Sequence, residues 1–562
     1  MAKRIVSLLL ILTLCFGCLT AMTGCDKTPD IIRLPITETP SSFDPQIASG
    51  DDAQSVLNNC FEGLVRIDSE GNIVPGVAQS WTISDDGLTY TFTLRENATW
   101  HVDEDALETV MDEEEAATFD NRVTADDFVF AMQRAVEPLT NAPYVGSLLN
   151  ILNADAIYAG EETSDQLGVF ASNDYTLTIR LNHADTSFLS TLATSVCLPC
   201  NRTFFEATIG RYGMSTDYTL CNGPYYLSSV NSSYGYVDLT LNDTYKGNHD
   251  ATIPTVRFIL ASDQNGSATE GTDILTSLEE SEDGLDAGLI GSGSVSQVPS
   301  DMTVLEYQNI TKAFVMNMTS DVTKHRYFRL ALATATNPQL LGASGTAEGF
   351  VPDTCELVSG QAYRDQAGSI SVPKFNMTKA AKYYEKAIEK LKEKAEDEDA
   401  IDSQIYNLKV VCLTSDKKAI ASVIQNWQKI FGVNLSVELV TYDTQAELDS
   451  AVNAGKYDVA YTALKASELT AANFLSRYMT GNANNVINLS HEKYDGLILT
   501  AMTATDDSTV TANLVEAEDF LVRNGCILPI KSDSTYLVTK DTASGLFVLP
   551  SGSIYAAYDI GE

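Results

Sequence analysis

Apolar and polar residues recur with clear periods along the chain, and those periods predict its elements. Ile32, Leu34 and Ile36 alternate, which predicts a strand. Trp81 and Ile83 alternate before Asp86-Gly87, and Leu88, Tyr90, Phe92 and Leu94 alternate after it. Asp-Gly between two such runs is a hairpin signal, so Ser80 to Arg95 is read as two paired strands. Thr124 to Asp127 resembles a capping box and opens a helix through Phe128, Met132 and Ala135, closed by Pro138. From Asn376 to Ala395, Met377, Ala380, Tyr384, Ala387, Ile388, Leu391 and Ala395 fall at helical spacing. The next stretch carries the architecture. Leu408 to Leu413 is an apolar strand, and Asp416 to Phe431 is a helix with Ile420, Val423, Ile424, Trp427 and Phe431 on one face. Gly432 stands at the helix end, Val433, Leu435, Val437 and Leu439 alternate, and a helix near Gln445–Val452 leads to an apolar run at Tyr457–Tyr461. Strand, helix, strand, helix, strand predicts a parallel sheet with right-handed crossovers. Ligands in such sheets gather beyond the carboxyl ends of the strands. The loop from Tyr461 to Glu468 leaves such an end and is the first site candidate.

The first thirty residues read differently. Lys3 and Arg4 precede an uncharged run from Ile5 to Met22. About 18 apolar residues is the lower limit of a membrane span. Cys15, Gly17 and Cys18 inside the run, and small residues at its exit, favour a secretory signal instead. Met22-Thr23-Gly24-Cys25 resembles a bacterial lipobox. That resemblance implies removal of residues 1–24, lipidation of Cys25 and a short tether over 25–30. Two acyl chains, at ~0.8 kcal/mol per buried CH₂, hold a protein stably on a membrane.

Composition changes the picture mainly through charge. With 44% hydrophobic and 20% charged residues the chain is ordinary globular material, long enough at 562 residues for several domains or a few large lobes. The 76 acidic residues against 36 basic ones give a net charge of −40, which repels phosphate backbones and argues against nucleic-acid binding. An acidic stretch, Asp103–Asp105 and Asp112–Glu115, lacks the glycine-bearing spacing of a calcium loop and is read as a solvated loop. The five histidines, His101, His183, His249, His325 and His491, have no metal-ligand spacing, and no Gly-x-Ser-x-Gly elbow occurs. No metal, no cofactor and no catalytic group is therefore expected, and no constellation supports an enzyme. Cys197-Leu-Pro-Cys200 has the CxxC form, but Pro199 and Asn201 suggest a turn, so a structural pair or plain buried thiols are predicted.

Several segments together resemble the bacterial extracellular solute-binding proteins of family five, which serve oligopeptide, dipeptide and nickel ABC importers. They are Ser42-Phe-Asp-Pro45, Phe61-Glu-Gly-Leu-Val65, Gly71-Asn-Ile-Val-Pro75 through Trp81, Asp86-Gly87 through Arg95, Ala98-Thr-Trp100 and Val123 to Phe128. Further along come Asn222-Gly-Pro-Tyr225, Asn242 to Gly247, Asn317-Met318, Phe328 to Leu332 and Ile527-Leu-Pro529, in the family's order over almost the whole chain.

The resemblance implies an α/β, two-lobed periplasmic-binding-protein fold (type II, the large oligopeptide-binding class) with an extra subdomain. Lobe I would take residues 31–61, 173–305 and 532–562, the extra subdomain 62–172 with an acidic insertion near 102–121, and lobe II 306–531. It also implies a monomer that captures a peptide between its lobes and delivers it to an ABC permease. The site would lie at the outer face of the cell membrane, or in the periplasm where an outer membrane exists. Oligopeptide binders often carry Arg-x-x-Trp-x-x-Asp after the corresponding strand, the Asp pairing with the peptide amine. The ungapped match puts Tyr461, Leu464 and Ser467 at those three places, with Glu468 next to the last. A serine cannot give an ammonium the charge-assisted bond of a carboxylate. The run after Pro529, often aromatic in the family, is Lys531-Ser-Asp-Ser534. The expected ligand-binding residues are Tyr461, Leu464, Lys465, Ser467 and Glu468, with Asn473 and Arg477 further out, where a helix start and a surface charge are the plainer roles. Phe61 and Glu62 are expected near the lobe junction. The loss of the Asp leaves two alternatives: a glycan, metal chelate or blocked peptide as ligand, or a sensory or adhesion lipoprotein without a transport role.

Overall fold

The computed structural model describes residues 29–249, 251–260, 271–280, 284–344, 347–393, 401, 404–466, 469–482, 484–504, 506–549, 552 and 554–560. Cys25 and the leader lie outside the described residues.

Strand β1 (Ile31–Ile36) buries Ile32, Leu34 and Ile36, as their alternation predicts. Helix α1 (Asp51–Cys60) follows directly on Gly50, whose φ of 86° suits glycine. The chain then leaves for a four-stranded antiparallel sheet. Its strands are β2 (Ala78–Ile83), β3 (Thr89–Leu94), β4 (Val169–Asn173) and β5 (Thr176–Arg180), in the order β2-β3-β5-β4. The predicted hairpin is β2–β3, and Gly87 supplies its positive φ of 69°. Because β2 is an edge strand, Ile83 stays 46% exposed, while Trp81 packs on Phe92 at 6.3 Å. Helix α2 (Ala125–Val136) packs on β4 and β5. Its predicted cap is present: the Asp127 carboxylate accepts the Thr124 N–H at 2.7 Å.

The acidic stretch departs from the expected loop. It forms two short helices, Glu104–Val110 and Glu113–Ala117. Asp103 accepts from the Ala106 N–H and Asp112 from those of Glu114 and Glu115. Carboxylates at helix N-termini satisfy orphan donors and the dipole, so the charge run caps helices rather than preventing them.

Past α3 (Phe188–Leu192) the chain returns to β6 (Tyr225–Asn231), β7 (Tyr236–Leu241) and β8 (Thr255–Leu260). These join β1 in the order β1-β8-β7-β6, with β1 and β8 parallel. A six-stranded sheet comes next: β9 (Ala287–Gly291), β10 (Thr303–Met316), β11 (Tyr406–Leu413), β12 (Leu435–Tyr442), β13 (Val459–Lys465) and β14 (Ile527–Thr539). Its order is β9-β14-β10-β13-β11-β12. Helices α4 (Arg326–Ala335), α5 (Met377–Lys392), α6 (Lys417–Phe431), α7 (Gln445–Asn453), α8 (Ala471–Ser476), α9 (Glu492–Thr503) and α10 (Asp507–Arg523) accompany it. The predicted strand–helix–strand–helix–strand is β11-α6-β12-α7-β13, with β11 parallel to both β12 and β13. Ile420, Val423, Ile424, Trp427 and Phe431 of α6 are all buried. Val433 is not part of the strand. Gly432, at φ 61°, ends α6 in a tight turn that leaves Val433 93% exposed, and β12 begins at Leu435.

Two large hydrophobic cores result, with a small third cluster of Ile274, Leu275, Leu278, Leu285, Ile290 and Val538. One runs from Ile32 to Phe258 and takes in Ala543 to Ile560; the other runs from Ala313 to Ile530. Strands β10 and β14 serve both. Leu537 belongs to the first core, while Ala313–Met316 and Ile527, Leu528 and Ile530 belong to the second. Between those parts their pairing slips twice, at Tyr307/Ile310 and at Lys312/Ala313. Such bulges bend and twist a strand pair. The second core also holds a buried carboxylate. Glu518 of α10 accepts from the Phe350 N–H at 2.7 Å, the Val351 N–H at 3.1 Å, Arg364 at 2.7 Å and the Tyr363 hydroxyl at 2.9 Å.

Candidate functional site

Strand β13 sets the geometry. Along its whole length, from Val459 to Lys465, it pairs with β10. On its other side it pairs with β11 only through Val459 and Ala460. Beyond Ala460, β11 continues against β12 alone. Among the described residues, the backbone from Tyr461 to Lys465 therefore has one unpaired edge, at the carboxyl end of a parallel strand. Such an edge is a template for a further extended chain.

The side chains sort by the two-residue period of the strand. Tyr461, Ala463 and Lys465 stand opposite Phe314, Lys312 and Ile310 on β10. The Tyr461 ring packs on Phe314 at 5.0 Å, and burial beside Asp416 and Asp533 raises its phenol pKa. Thr462 Oγ1 accepts from Gln445 Nε2 at 3.0 Å, joining β13 to the first turn of α7. Leu464 is 6% exposed and packs in the second core. Lys465 reaches away from its own lobe to Asp51, at the start of α1, with Nζ 3.0 Å from Oδ2. Its carbonyl accepts from Arg477 at 3.2 Å, and that guanidinium lies over the Phe474 ring, 4.3 Å from its centroid. Asn473, in α8, accepts from the Ser187 hydroxyl at 2.7 Å, again across the cleft. A third bridge runs from the Thr186 N–H to the Met502 carbonyl at 3.0 Å. Ser467 and Glu468 lie outside the described residues.

Lys465 and Arg477 thus meet at the end of β13, Tyr461 and Leu464 are both buried in the second core rather than presented to a ligand, and Asn473 bonds Ser187. Phe61 and Glu62 lie elsewhere. Phe61 is buried in the first core, and Glu62 is buried against Arg95 and accepts from the Tyr245 hydroxyl at 2.7 Å, tying α1 to the inserted sheet. Cys197 and Cys200 are free, buried thiols, pushed up to about 12 by burial, as unreactive as the plain reading expects.

Several residues near β13 escaped the sequence reading: Asp51 and Ser187, which reach Lys465 and Asn473, and the charged Lys312, Asp416, Asp449, Lys531 and Asp533. Burial lowers the Lys312 ammonium pKa, countered in part by Asp416, Asp533 and Asp449 and reinforced by Lys531. One signal was present: Lys312 is a lysine set inside the apolar run from Ile310 to Met316. Among the described residues no cluster of metal-binding side chains occurs, and no helix is long and apolar enough to cross a membrane.

Residues 72–486 match the bacterial extracellular solute-binding proteins, family 5 (middle). The chain belongs to this family. Among curated relatives, it is 24% identical to the dipeptide-binding protein DppE of Bacillus subtilis over 528 residues, covering 92% of this chain and 89% of that one. It is 26% identical to the periplasmic oligopeptide-binding protein OppA of Haemophilus influenzae over 499 residues, covering 87% and 86%. Among solved structures, Listeria monocytogenes OppA bound to peptide superposes with a TM-score of 0.72 at 22% identity, covering 94% of this chain and 98% of that one. The fold is the two-lobed, type II binding-protein fold, as its sequence motifs imply.

Proposed function

We propose that this solute-binding protein captures peptides and delivers them to the permease of an ABC importer. The observation that carries the reading is the open edge of β13 from Tyr461 to Lys465, whose last residue reaches Asp51 of α1. An extended peptide laid there gains main-chain hydrogen bonds regardless of its sequence, and side chains in hydrated pockets add little discrimination. The relatives named for dipeptides and oligopeptides support the same ligand class.

In this reading lobe I comprises residues 31–61, 173–305 and 532–562, the extra subdomain 62–172 and lobe II 306–531. The hinge is the twice-slipped stretch of β10 and β14, where the two cores meet. Ligand favours the closed form, and the closed form docks on the permease. The protein acts as a monomer, held at the membrane surface by lipid on Cys25, and breaks no bond.

Native mass spectrometry of the protein purified from residue 26 onward tests this. Adducts that fragment as peptides, lost on denaturation, are expected. A single non-peptide adduct overturns the peptide reading in favour of a glycan or chelate. A protein that carries no adduct and is stabilised by no peptide pool points to a sensory or adhesion role.

A further inference from the structure

The geometry points to an anion-binding subsite in the lobe II wall of the cleft, formed by Lys312 and Lys531, that receives a carboxylate of the bound peptide. This rests on the peptide reading and specifies its ligand class.

Lys531 of β14 stands directly opposite Lys312 of β10, and Lys312 directly opposite Ala463 of β13. Residues paired across strands share a face of the sheet, so both ammonium groups lie on the face of Ala463, inside the open-edge stretch. Ala463, Lys312 and Lys531 are each partly exposed. Toward the far end of the strand this face turns apolar, with Phe314 beside Tyr461 and Trp427. The pairing slips between Lys312 and Ala313, a bulge that re-aims the lysine.

Two like charges opposed on neighbouring strands destabilise the pair unless an anion lies between them. Among the described residues, neither lysine has a carboxylate within ion-pair distance. The groups facing Lys312 are Asp416, Asp533, Lys531 and Asp449. Asp533 is engaged by the Ser292 hydroxyl at 2.7 Å and the Ser534 N–H at 3.0 Å, and Asp449 by Gln445 at 2.7 Å. Lys465, on the same face, is taken by Asp51. Neutral donors hold Asp533 and Asp449, and none of the three carboxylates comes within ion-pair distance of either lysine. A desolvated ammonium without a partner is costly, and a ligand carboxylate between the two lysines relieves that cost with charge-assisted bonds. The carboxylate comes from an acidic side chain or from the peptide C-terminus.

Calorimetric titration of the full mature protein with matched peptides tests this. One pair differs as Asp against Asn at one position, the other as free acid against amide at the C-terminus. The pair that discriminates identifies the source. In that pair the acid should bind about tenfold more tightly than its amide counterpart. Lys312→Met and Lys531→Met should each erase most of that preference, and a native circular dichroism spectrum reports that the variants are folded. Peptide binding with no acid preference in either pair, or a preference that survives both substitutions, overturns the subsite alone. Binding of no peptide at all overturns it together with the reading on which it rests.

Discussion

Lys465 and Asp51 are 414 residues apart in the chain, yet Lys465 Nζ lies 3.0 Å from Asp51 Oδ2, joining the end of β13, built on the second core, to the start of α1, built on the first. Both side chains are nearly half exposed, at 43% and 49%. Exposed pairs of this kind are worth only about 0.2–1 kcal/mol and are screened by salt. With the Ser187–Asn473 and Thr186–Met502 bridges, they hold the lobes together by contacts that are easily exchanged for ligand. Lys465→Met should therefore shift the ligand-free protein toward an open form, seen as a larger radius of gyration in small-angle scattering, while unfolding free energy changes by less than about 1 kcal/mol. An unchanged radius would mean that the pair plays no part in closure.

Glu518 is the opposite case. It is fully buried with all its partners engaged, and Arg364 depends on it for charge balance. Glu518→Gln should cost about 3 kcal/mol or more in chemical denaturation, because removing one member leaves the other charge buried and uncompensated. Loss of less than about 1 kcal/mol would mean that water reaches Arg364.

A pH dependence follows from Asp127. Burial raises its pKa from the ordinary 3.8 to about 7, against the lowering effect of its bonds from Thr124. A folded-state pKa above the unfolded one means that the folded protein binds the proton more tightly. The contribution to stability is full below about pH 4 and is lost as pH rises through about 7. Asp127→Asn should flatten the stability profile between those limits. A parent protein that gains stability across the same window, with the variant unchanged from it, would contradict the assignment.

All seven described cysteines are buried thiols outside any disulfide. The Cys60 and Cys221 thiols lie in contact, and burial raises Cys60 first of all. The native protein should resist a thiol reagent at neutral pH and react fully once unfolded. Rapid labelling of Cys197 or Cys200 in the native state would overturn their reading as plain buried thiols.

How legible all this was depends on what each feature needs. The β2–β3 hairpin and the β11-α6-β12-α7-β13 unit rest on local periodicity and turn chemistry, and both read correctly. Val433 failed because a tight turn at Gly432 interrupted an alternation that looked continuous. The acidic run failed because its charge was read as the mark of a solvated loop, whereas Asp103 and Asp112 use it to cap helices. The strand that carries Tyr461 and Lys465 was legible because a strand end is a local feature. Asp51 and Ser187 were not, since only the closing of two lobes brings them there. Lys531 was noticed only as a missing aromatic, because its partner Lys312 is more than 200 positions away and joined to it by register.

The most direct measurement is amide hydrogen exchange along β13, with and without a bound peptide. If a peptide strand adds to the open edge, amides within Tyr461–Lys465 should exchange at least about tenfold more slowly in the complex, while those of the outer strand β12 stay as they were. Peptide binding with no slowing anywhere in Tyr461–Lys465 would contradict the account.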